Sequence, residues 1–126
     1  MSFKGKPVTV KVTGDAKEAY EQLDNLTKQE RTKGISGSHN QTLFNSINKK
    51  IELLKQNPQH GVHIPKNRIP GDYILRYEVN NLWKINLAGA FRMVYTIRGS
   101  EVEIISLILD ILNHRSYEKK FKYKKS

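Results

Sequence analysis

Apolar and polar side chains alternate near the start of the chain. Valine occupies positions 8, 10 and 12, with polar residues between them. A period of two predicts a strand with one buried face. Gly14 ends this pattern, and from Asp15 to the high twenties the apolar residues follow helical spacing instead. Asp15 is the predicted N-cap of this helix, because Glu18 stands three residues later as in a capping box.

A second helical stripe follows a loop. Residues 32–40 are rich in glycine and serine, which predicts the loop. Apolar residues then recur at helical spacing from Leu43 to Leu54. Asn57 and Pro58 end the helix, because a proline disfavours helical backbone in the residue before it. The two helices are predicted to form a hairpin that packs on an apolar surface.

A meander of strands is predicted for the second half of the chain. Residues 58–72 contain three prolines and two glycines, which argues against regular structure there. Residues 73–79 are ambiguous between a strand and a short helical turn. The last predicted strand is nearly all isoleucine, leucine and valine, which is typical of a central strand. Residues 113–123 are predicted to form a short helix. The three predicted strands are Leu82–Leu87, Phe91–Ile97 and Val102–Leu109.

These elements predict an α+β domain. An N-terminal strand and a two-helix hairpin pack on a twisted, mainly antiparallel sheet of about four strands, and a short C-terminal helix follows. All 126 residues fit one domain, with a basic tail from about residue 119. The helices are expected to cover one sheet face. The other face is expected to be open and to carry Lys84 and Arg92, with Tyr95 and Arg76 as further candidates.

The charge of the chain is strongly unbalanced. It has 22 Lys and Arg against 12 Asp and Glu, a formal net charge of +10. This excess favours contact with nucleic acid or another polyanion. The absence of cysteine excludes disulfides and thiolate zinc sites and fits a reducing cytosol. We recognise no signal peptide and no membrane-spanning run, so a cytoplasmic protein is expected.

Three segments of the sequence resemble one known family. They are Leu82–Leu87 (Leu-Trp-Lys-Ile-Asn-Leu), Phe91–Tyr95 (Phe-Arg-Met-Val-Tyr) and, after a strongly apolar strand, His114–Tyr117 (His-Arg-Ser-Tyr). Together with the N-terminal strand and the helical hairpin, they resemble the RelE/ParE superfamily of toxins from type II toxin–antitoxin systems. The resemblance covers nearly the whole chain and implies a fold similar to that of small microbial ribonucleases.

The activity that the resemblance implies is that of a ribonuclease toxin. Such a toxin cuts messenger RNA, usually in the ribosomal A site, and is silenced by a cognate antitoxin, here expected to be small and acidic. The implied reaction uses no metal and no other cofactor: the 2′-hydroxyl attacks the adjacent phosphorus and a 5′-hydroxyl end is left. The expected partners are the antitoxin, mRNA and ribosomal RNA, with no membrane.

The resemblance also implies site residues. Arg92 matches the phosphate-binding arginine of the family, Lys84 matches a strand lysine that assists charge stabilisation, and the C-terminal segment matches the region of the acid or base. No metal site is predicted, since His60 and His63 lie in a Gly/Pro loop without an acidic neighbour. The predicted catalytic residues are Lys84, Arg92, His114, Arg115 and Tyr117. The predicted RNA-binding residues are Lys66, Arg68, Arg76, Asn86, Tyr95, Lys119, Lys120 and Lys122.

Two alternatives stay open. A toxin of the gyrase-poisoning branch is a binding protein without the cations of a nuclease, and Lys84, Arg92 and His114 argue against it. A member that binds RNA or antitoxin without cleaving is favoured by Asn86, which stands where many active members carry a second lysine. Asparagine forms hydrogen bonds but cannot neutralise charge. A basic side chain from residues 66–68 would compensate if it approaches the site.

Overall fold

A computed structural model describes residues 2–121, and the side chains of residues 3–121. The α+β class is as the sequence predicts. Single turns of 3₁₀ helix lie at Lys66–Arg68 and Ala88–Ala90. The strands and helices, in chain order, are β1 (Ser2–Phe3), β2 (Lys6–Val12), α1 (Gly14–Thr32), α2 (His39–Gln56), β3 (Val62–His63), α3 (Gly71–Tyr77), β4 (Trp83–Asn86), β5 (Arg92–Gly99), β6 (Ile104–Leu112) and α4 (His114–Phe121).

The strands form a mixed sheet in the order β1-β2-β6-β5-β4-β3. Among the described strands, β2 and β6 run parallel and the other neighbours run antiparallel. The sheet is therefore mainly antiparallel, as predicted. The predicted number of about four strands is too low, because β1 and β3 have two residues each. Strands this short carry no alternation that a sequence could reveal.

Strand β6 lies inside the sheet, as its apolar sequence predicts. It pairs with β2 on one side and with β5 on the other. The pairing with β5 shifts register: Val94 stands opposite Asp110, whereas Tyr95 stands opposite Ile108. Leu109 is thus an extra residue, which forms a β-bulge. The bulge lets Asp110 point to the same face as Val94.

Helices α1 and α2 form the predicted hairpin on one face of the sheet. Both are amphipathic, and their apolar sides pack against inward-facing strand residues. We call this set the hairpin core. None of the helices within residues 2–121 is long and apolar enough to cross a membrane. The buried residues of the hairpin core are Ala16, Leu23, Leu43, Ile47, Leu54, Ile85, Leu87, Met93, Tyr95 and Ile108.

The start of α1 differs from the prediction. The N-cap is Thr13, whose side chain makes no capping hydrogen bond, and Asp15 lies inside the first turn. The predicted capping box of Asp15 and Glu18 is therefore wrong. The Asp15 carboxylate instead pairs with Arg76 of α3, a contact between residues far apart in sequence. The second helix ends at Gln56, as predicted.

The second face of the sheet is covered rather than open. Helices α3 and α4 pack on it, because the ambiguous residues 73–79 lie mostly in α3 and the predicted C-terminal helix folds back. Residues 58–72, predicted to be irregular, also contain β3, which pairs with β4. We call the buried set on this face the α3–α4 core. It consists of Ile64, Tyr73, Val79, Leu82, Val94, Leu109 and Phe121.

Candidate functional site

Lys84, Arg92 and Tyr117 meet on the α3–α4 face of the sheet. Lys84 stands opposite Val94, and Arg92 precedes Val94 by two positions, so both side chains project to the same face. The Lys84 Nζ lies 5.8 Å from the centre of the Tyr117 ring, and the Arg92 Cζ lies 5.4 Å from it. Both distances are within the range of cation–π attraction. We call these three residues the cation–tyrosine cluster.

The turn between β4 and β5 holds the Arg92 guanidinium. Gly89 and Ala90 have φ angles of 69° and 62°, a left-handed conformation that is uncommon for alanine. The Arg92 Nη1 donates a hydrogen bond to the Ala90 carbonyl oxygen at 2.8 Å. The Arg92 Nε is buried and has no hydrogen-bond partner among the described residues. An anionic oxygen at this edge of the guanidinium would satisfy that donor.

The ammonium group of Lys84 is partly desolvated. Burial lowers the pKa of Lys84 below its usual value, and the positive charge of Arg92 lowers this pKa further. Two neighbouring cations repel each other, and an anion that contacts both of them offsets that repulsion. A lysine with a lowered pKa gives up its proton more readily than an ordinary lysine does. The site is therefore suited to an anion and, at Lys84, to proton transfer.

Helix α4 brings Tyr117 to the two cations. The Asn113 side chain caps this helix, because its Oδ1 accepts a hydrogen bond from the Ser116 backbone N–H at 2.8 Å. One turn after Asn113, the Tyr117 ring stacks on Phe121 with centroids 4.4 Å apart. Phe121 is buried in the α3–α4 core. The position of Tyr117 thus depends on the docking of the whole helix.

The two other predicted catalytic residues of α4 are placed differently. His114 lies one turn before Tyr117 on the same side of the helix. Its side chain is 58% exposed, and its Nε2 lies 3.8 Å from the Glu118 Oε2. Arg115 is exposed and, two positions before Tyr117, points to a different side of the helix. Helical spacing therefore places His114 on the side of α4 that carries Tyr117, and Arg115 on a different side.

A buried polar network that the predicted site lacks anchors α4. Asp110 is only 5% exposed. Its Oδ2 accepts a hydrogen bond from the Tyr73 hydroxyl at 2.8 Å and lies 3.6 Å from the Lys120 Nζ. The Lys120 Nζ also lies 2.8 Å from the Asp72 Oδ2. The sequence signal for this network is Asp110 itself, a charged residue within an apolar central strand.

Burial controls the ionisation of this network. It raises the pKa of the Asp110 carboxyl, against the opposing effects of the Tyr73 hydroxyl and of Lys120. Burial and the Asp110 charge raise the pKa of Tyr73. For Lys120, burial lowers the pKa, but the two carboxylates outweigh it and the net pKa is raised. Lys120 is therefore a charged link between α4, α3 and β6.

The three lysines of the C-terminal region that were predicted to bind RNA have different positions. Lys120, predicted to bind RNA, directs its ammonium group toward Asp72 and Asp110, so its position is that of an anchor. Lys119 is exposed and can contact a polyanion. Lys122, also predicted to bind RNA, lies outside the described residues.

Tyr95 does not lie on the face that was predicted for it. It is fully buried in the hairpin core, next to Val94 along β5 but on the opposite face of the sheet. Its hydroxyl donates to the Pro58 carbonyl oxygen at 2.6 Å and accepts from the Gly61 N–H at 3.1 Å. Burial raises the pKa of Tyr95 to about 12. The expectation that Tyr95 is available to RNA is therefore wrong, and its role is to tie down the loop before β3.

Arg76 was also predicted for the open sheet face, and it lies on α3 instead. Its Nη1 and Nη2 donate to the two carboxylate oxygens of Asp15 at 2.9 and 3.3 Å. Its Cζ lies 4.9 Å from the centre of the Tyr77 ring. This pairing raises the pKa of Arg76 and lowers the pKa of Asp15. Arg76 therefore joins α3 to the start of α1 rather than extending the cluster.

Two of the predicted RNA-binding residues, Asn86 and Arg68, lie next to the cation–tyrosine cluster. Asn86 is exposed and stands directly opposite Arg92 in the sheet. Lys66 and Arg68 are exposed on the 3₁₀ turn after β3. Arg68 lines the same cavity as Lys84 and Tyr117. Of the two basic residues in 66–68, Arg68 is therefore the one placed to supply the positive charge that Asn86 lacks.

The histidines of the loop before β4 have no metal-binding arrangement. Within residues 2–121, no group of three or more His, Cys, Asp or Glu side chains is placed to hold a metal ion. His63 packs against Trp83, with ring centroids 4.9 Å apart and ring planes at 62°. His60 is exposed. The chemistry that the described residues offer is anion binding by two cations, with tyrosine, lysine and histidine available for proton transfer.

Comparison with known proteins adds no evidence on the family or the function of this chain. No protein-family model, no curated protein and no solved structure significantly matches the chain. The similarity of the three segments to the RelE/ParE superfamily stays a hypothesis, and the geometry of the cation–tyrosine cluster is the main support for a function.

Proposed function

We propose that this chain is an endoribonuclease toxin of a type II toxin–antitoxin system, with a RelE-like fold, that cleaves mRNA in the ribosomal A site in the cytoplasm. The observation that carries the proposal is the cation–tyrosine cluster, in which Lys84 and Arg92 converge on Tyr117. A phosphodiester fits such a site, because a guanidinium and an ammonium group can contact its two non-bridging oxygens. The net charge of +10 supports RNA as the partner.

In the proposed reaction, the 2′-oxygen of the RNA forms a bond to the adjacent phosphorus while the bond from phosphorus to the 5′-oxygen breaks. The 2′-hydroxyl gives its proton to a base, and the 5′-oxygen receives a proton from an acid. The products are a 2′,3′-cyclic phosphate and a 5′-hydroxyl. The transition state carries extra negative charge on the non-bridging oxygens, which Arg92 stabilises through Nε and its neighbouring amine.

Three side chains are available to move these protons. Lys84 has a pKa that burial and Arg92 lower, and Tyr117 lies beside it. His114, one turn earlier on α4, is reached by solvent, and an imidazole is the side chain best suited to accept or donate a proton near neutral pH. Arg115 has no role in this proposal. The antitoxin in this proposal is a small acidic protein that covers the cationic face.

A protein that binds RNA without cleaving it is the second candidate. The specific observation in its favour is Asn86, an exposed neutral residue directly opposite Arg92, where a second cation would strengthen stabilisation of the transition state. This candidate predicts RNA binding that weakens steeply with salt and leaves RNA intact.

The test is expression of the protein in cells that lack its antitoxin, followed by mapping of new 5′-hydroxyl ends in abundant transcripts. Arg92→Ala is the informative variant, because loss of a preorganised donor costs about 10²–10³-fold in rate. Arg98→Ala is the matched control: Arg98 lies on the same strand, is exposed and bonds to the Tyr77 carbonyl oxygen. We expect new ends inside coding regions with the parent and with Arg98→Ala, and none with Arg92→Ala.

The other outcomes separate the alternatives. New ends that persist in Arg92→Ala overturn the assigned site. Growth arrest with intact transcripts and induction of the DNA-damage response points to gyrase poisoning. Normal growth with intact transcripts, together with salt-dependent RNA binding in vitro, supports the non-cleaving binder.

A further inference from the structure

A cavity of about 280 Å³ adjoins the cation–tyrosine cluster. It lies between the edge strand β3, the segment that follows it, and helix α4. Its apolar lining includes Ile64 and Phe121, which are 5% and 6% exposed, and Val62, which is 57% exposed. Its polar lining comes from cationic or aromatic side chains, with Lys84 shared between the cavity and the cluster. Among residues 3–121, no acidic side chain lines it.

The shape and chemistry of the cavity fit one unpaired nucleobase. Its volume is just below the range of about 300–1,000 Å³ that is usual for pockets binding drug-sized ligands, which is enough for one ring system. Single-stranded nucleic acid is bound by cations along the backbone and by apolar or aromatic surfaces against the bases. Both features adjoin here, because Lys84 and Tyr117 line the cavity and also belong to the cation–tyrosine cluster.

We propose that this cavity is a base-binding subsite for the nucleotide next to the phosphate held by Lys84 and Arg92. The inference rests on the proposed function, since it takes that phosphate to be part of single-stranded RNA. Arg68, an exposed residue that also lines the cavity, contributes a cation toward the same strand of RNA. The subsite gives the protein a means of distinguishing RNA with an accessible base from a bare polyanion.

The test compares two oligonucleotides of equal charge. Both are short 2′-O-methyl RNAs, which cannot be cleaved by attack of a 2′-hydroxyl; one carries all its bases and the other is abasic throughout. Fluorescence anisotropy gives the affinity of each for the full-length protein at a fixed salt concentration. We expect the parent to bind the base-containing strand at least about fivefold more tightly, which is the low end of the effect of stacking one base.

Two matched variants locate the effect. Val62→Gln places a longer, neutral and non-aromatic side chain at the mouth of the cavity, and we expect it to reduce the ratio of the two affinities toward one. Val102→Gln makes the same change at a valine that is 73% exposed on the turn between β5 and β6, and we expect the parent's ratio. The fold of both variants is checked by circular dichroism.

The outcomes distinguish this inference from the proposed function. If the parent binds both strands equally and Arg92→Ala weakens both, the phosphate site stands and the base subsite is overturned. If the parent binds neither strand, both are overturned. A base-dependent ratio that survives in a folded Val62→Gln variant overturns the placement of the subsite, whatever the ratio in Val102→Gln. Equal affinity of the parent for the two strands overturns the subsite even if a variant fails to fold.

Discussion

The two faces of the sheet are covered in different ways. On one face, α1 and α2, of 19 and 18 residues, bury the almost entirely apolar hairpin core. On the other, α3 and α4, of seven and eight residues, bury a smaller apolar set mixed with Asp110 and Lys120 and with the cation–tyrosine cluster. Burial of a charged group carries a desolvation penalty that burial of an apolar side chain does not. The difference indicates that the hairpin face supplies stability and the α3–α4 face supplies chemistry.

The largest expected effect is on the hairpin face. Leu54 is fully buried in the hairpin core, so Leu54→Ala removes packed methyl groups and leaves a cavity. We expect the free energy of unfolding to fall by about 2–5 kcal/mol, measured by urea denaturation. Leu75→Ala is the control, because Leu75 is 85% exposed on α3 and its change should stay within about 0.5 kcal/mol. Similar losses in both variants would contradict the conclusion that burial in the hairpin core supplies the stability.

On the other face, the network that anchors α4 should contribute less. Lys120→Ala removes the cation shared by Asp72 and the buried Asp110. We expect a loss of about 1–3 kcal/mol in unfolding free energy, because the Asp110 carboxylate keeps its desolvation cost without its cation. Lys119→Ala changes the neighbouring exposed residue and should have little effect. Faster hydrogen exchange in α4 of the Lys120 variant, but not of the Lys119 variant, would place the loss at that helix; equal exchange in both would refute the anchor.

The same comparison explains what the sequence could predict. Long stripes of apolar residues between residue 15 and Leu54 predict the two helices of the hairpin. The nearly apolar run around Ile108 predicts a central strand. The α3–α4 face was less accessible: α3 is a short helix, β3 has two residues, and neither provides enough periodicity to be recognised. Because the sequence does not reveal α3 and β3, it predicts an open face here.

The predicted site divides along the same line. Lys84 and Arg92 follow from strand alternation, because residues two apart, or opposite each other, share a face. Tyr117 joins them through the docking of α4, which no local pattern specifies. The prediction for Tyr95 fails because adjacent strand residues point to opposite faces: Val94 faces the α3–α4 core, and Tyr95 faces the hairpin core. Asp110 was visible in the sequence only as an interruption, because its partners Tyr73 and Lys120 come from other elements.

The ionisation of Asp110 gives a pH test of the same network. Its pKa in the folded protein is raised above the ordinary value of 3.8, chiefly by burial. The folded state therefore binds this proton more tightly than the unfolded state does, and the resulting stability is lost as pH rises from about 4 through the raised pKa. The loss amounts to about 1.4 kcal/mol for each unit by which the pKa is raised.

Asp110→Asn removes this titration while keeping an acceptor for the Tyr73 hydroxyl. We expect its unfolding free energy, relative to that of the parent, to increase as pH rises from about 4 to 8. Urea denaturation at several pH values gives the difference curve. A curve that declines with pH would mean that the pairing with Lys120 outweighs burial and that the direction of the Asp110 pKa shift is the reverse.

The smallest change in stability and RNA affinity is expected at Arg76. Comparison with Arg92 distinguishes an arginine in a structural ion pair from one in the proposed binding site. Its ion pair with Asp15 is exposed, with side chains 45% and 53% accessible, and such pairs contribute little because water screens them. We expect Arg76→Ala to leave both thermal stability and RNA affinity close to those of the parent. Arg92→Ala should weaken RNA binding at the same salt concentration, because Arg92 stands in the cation–tyrosine cluster. If the two variants lose RNA affinity equally, the RNA follows charge over the whole surface and does not bind preferentially at the cation–tyrosine cluster.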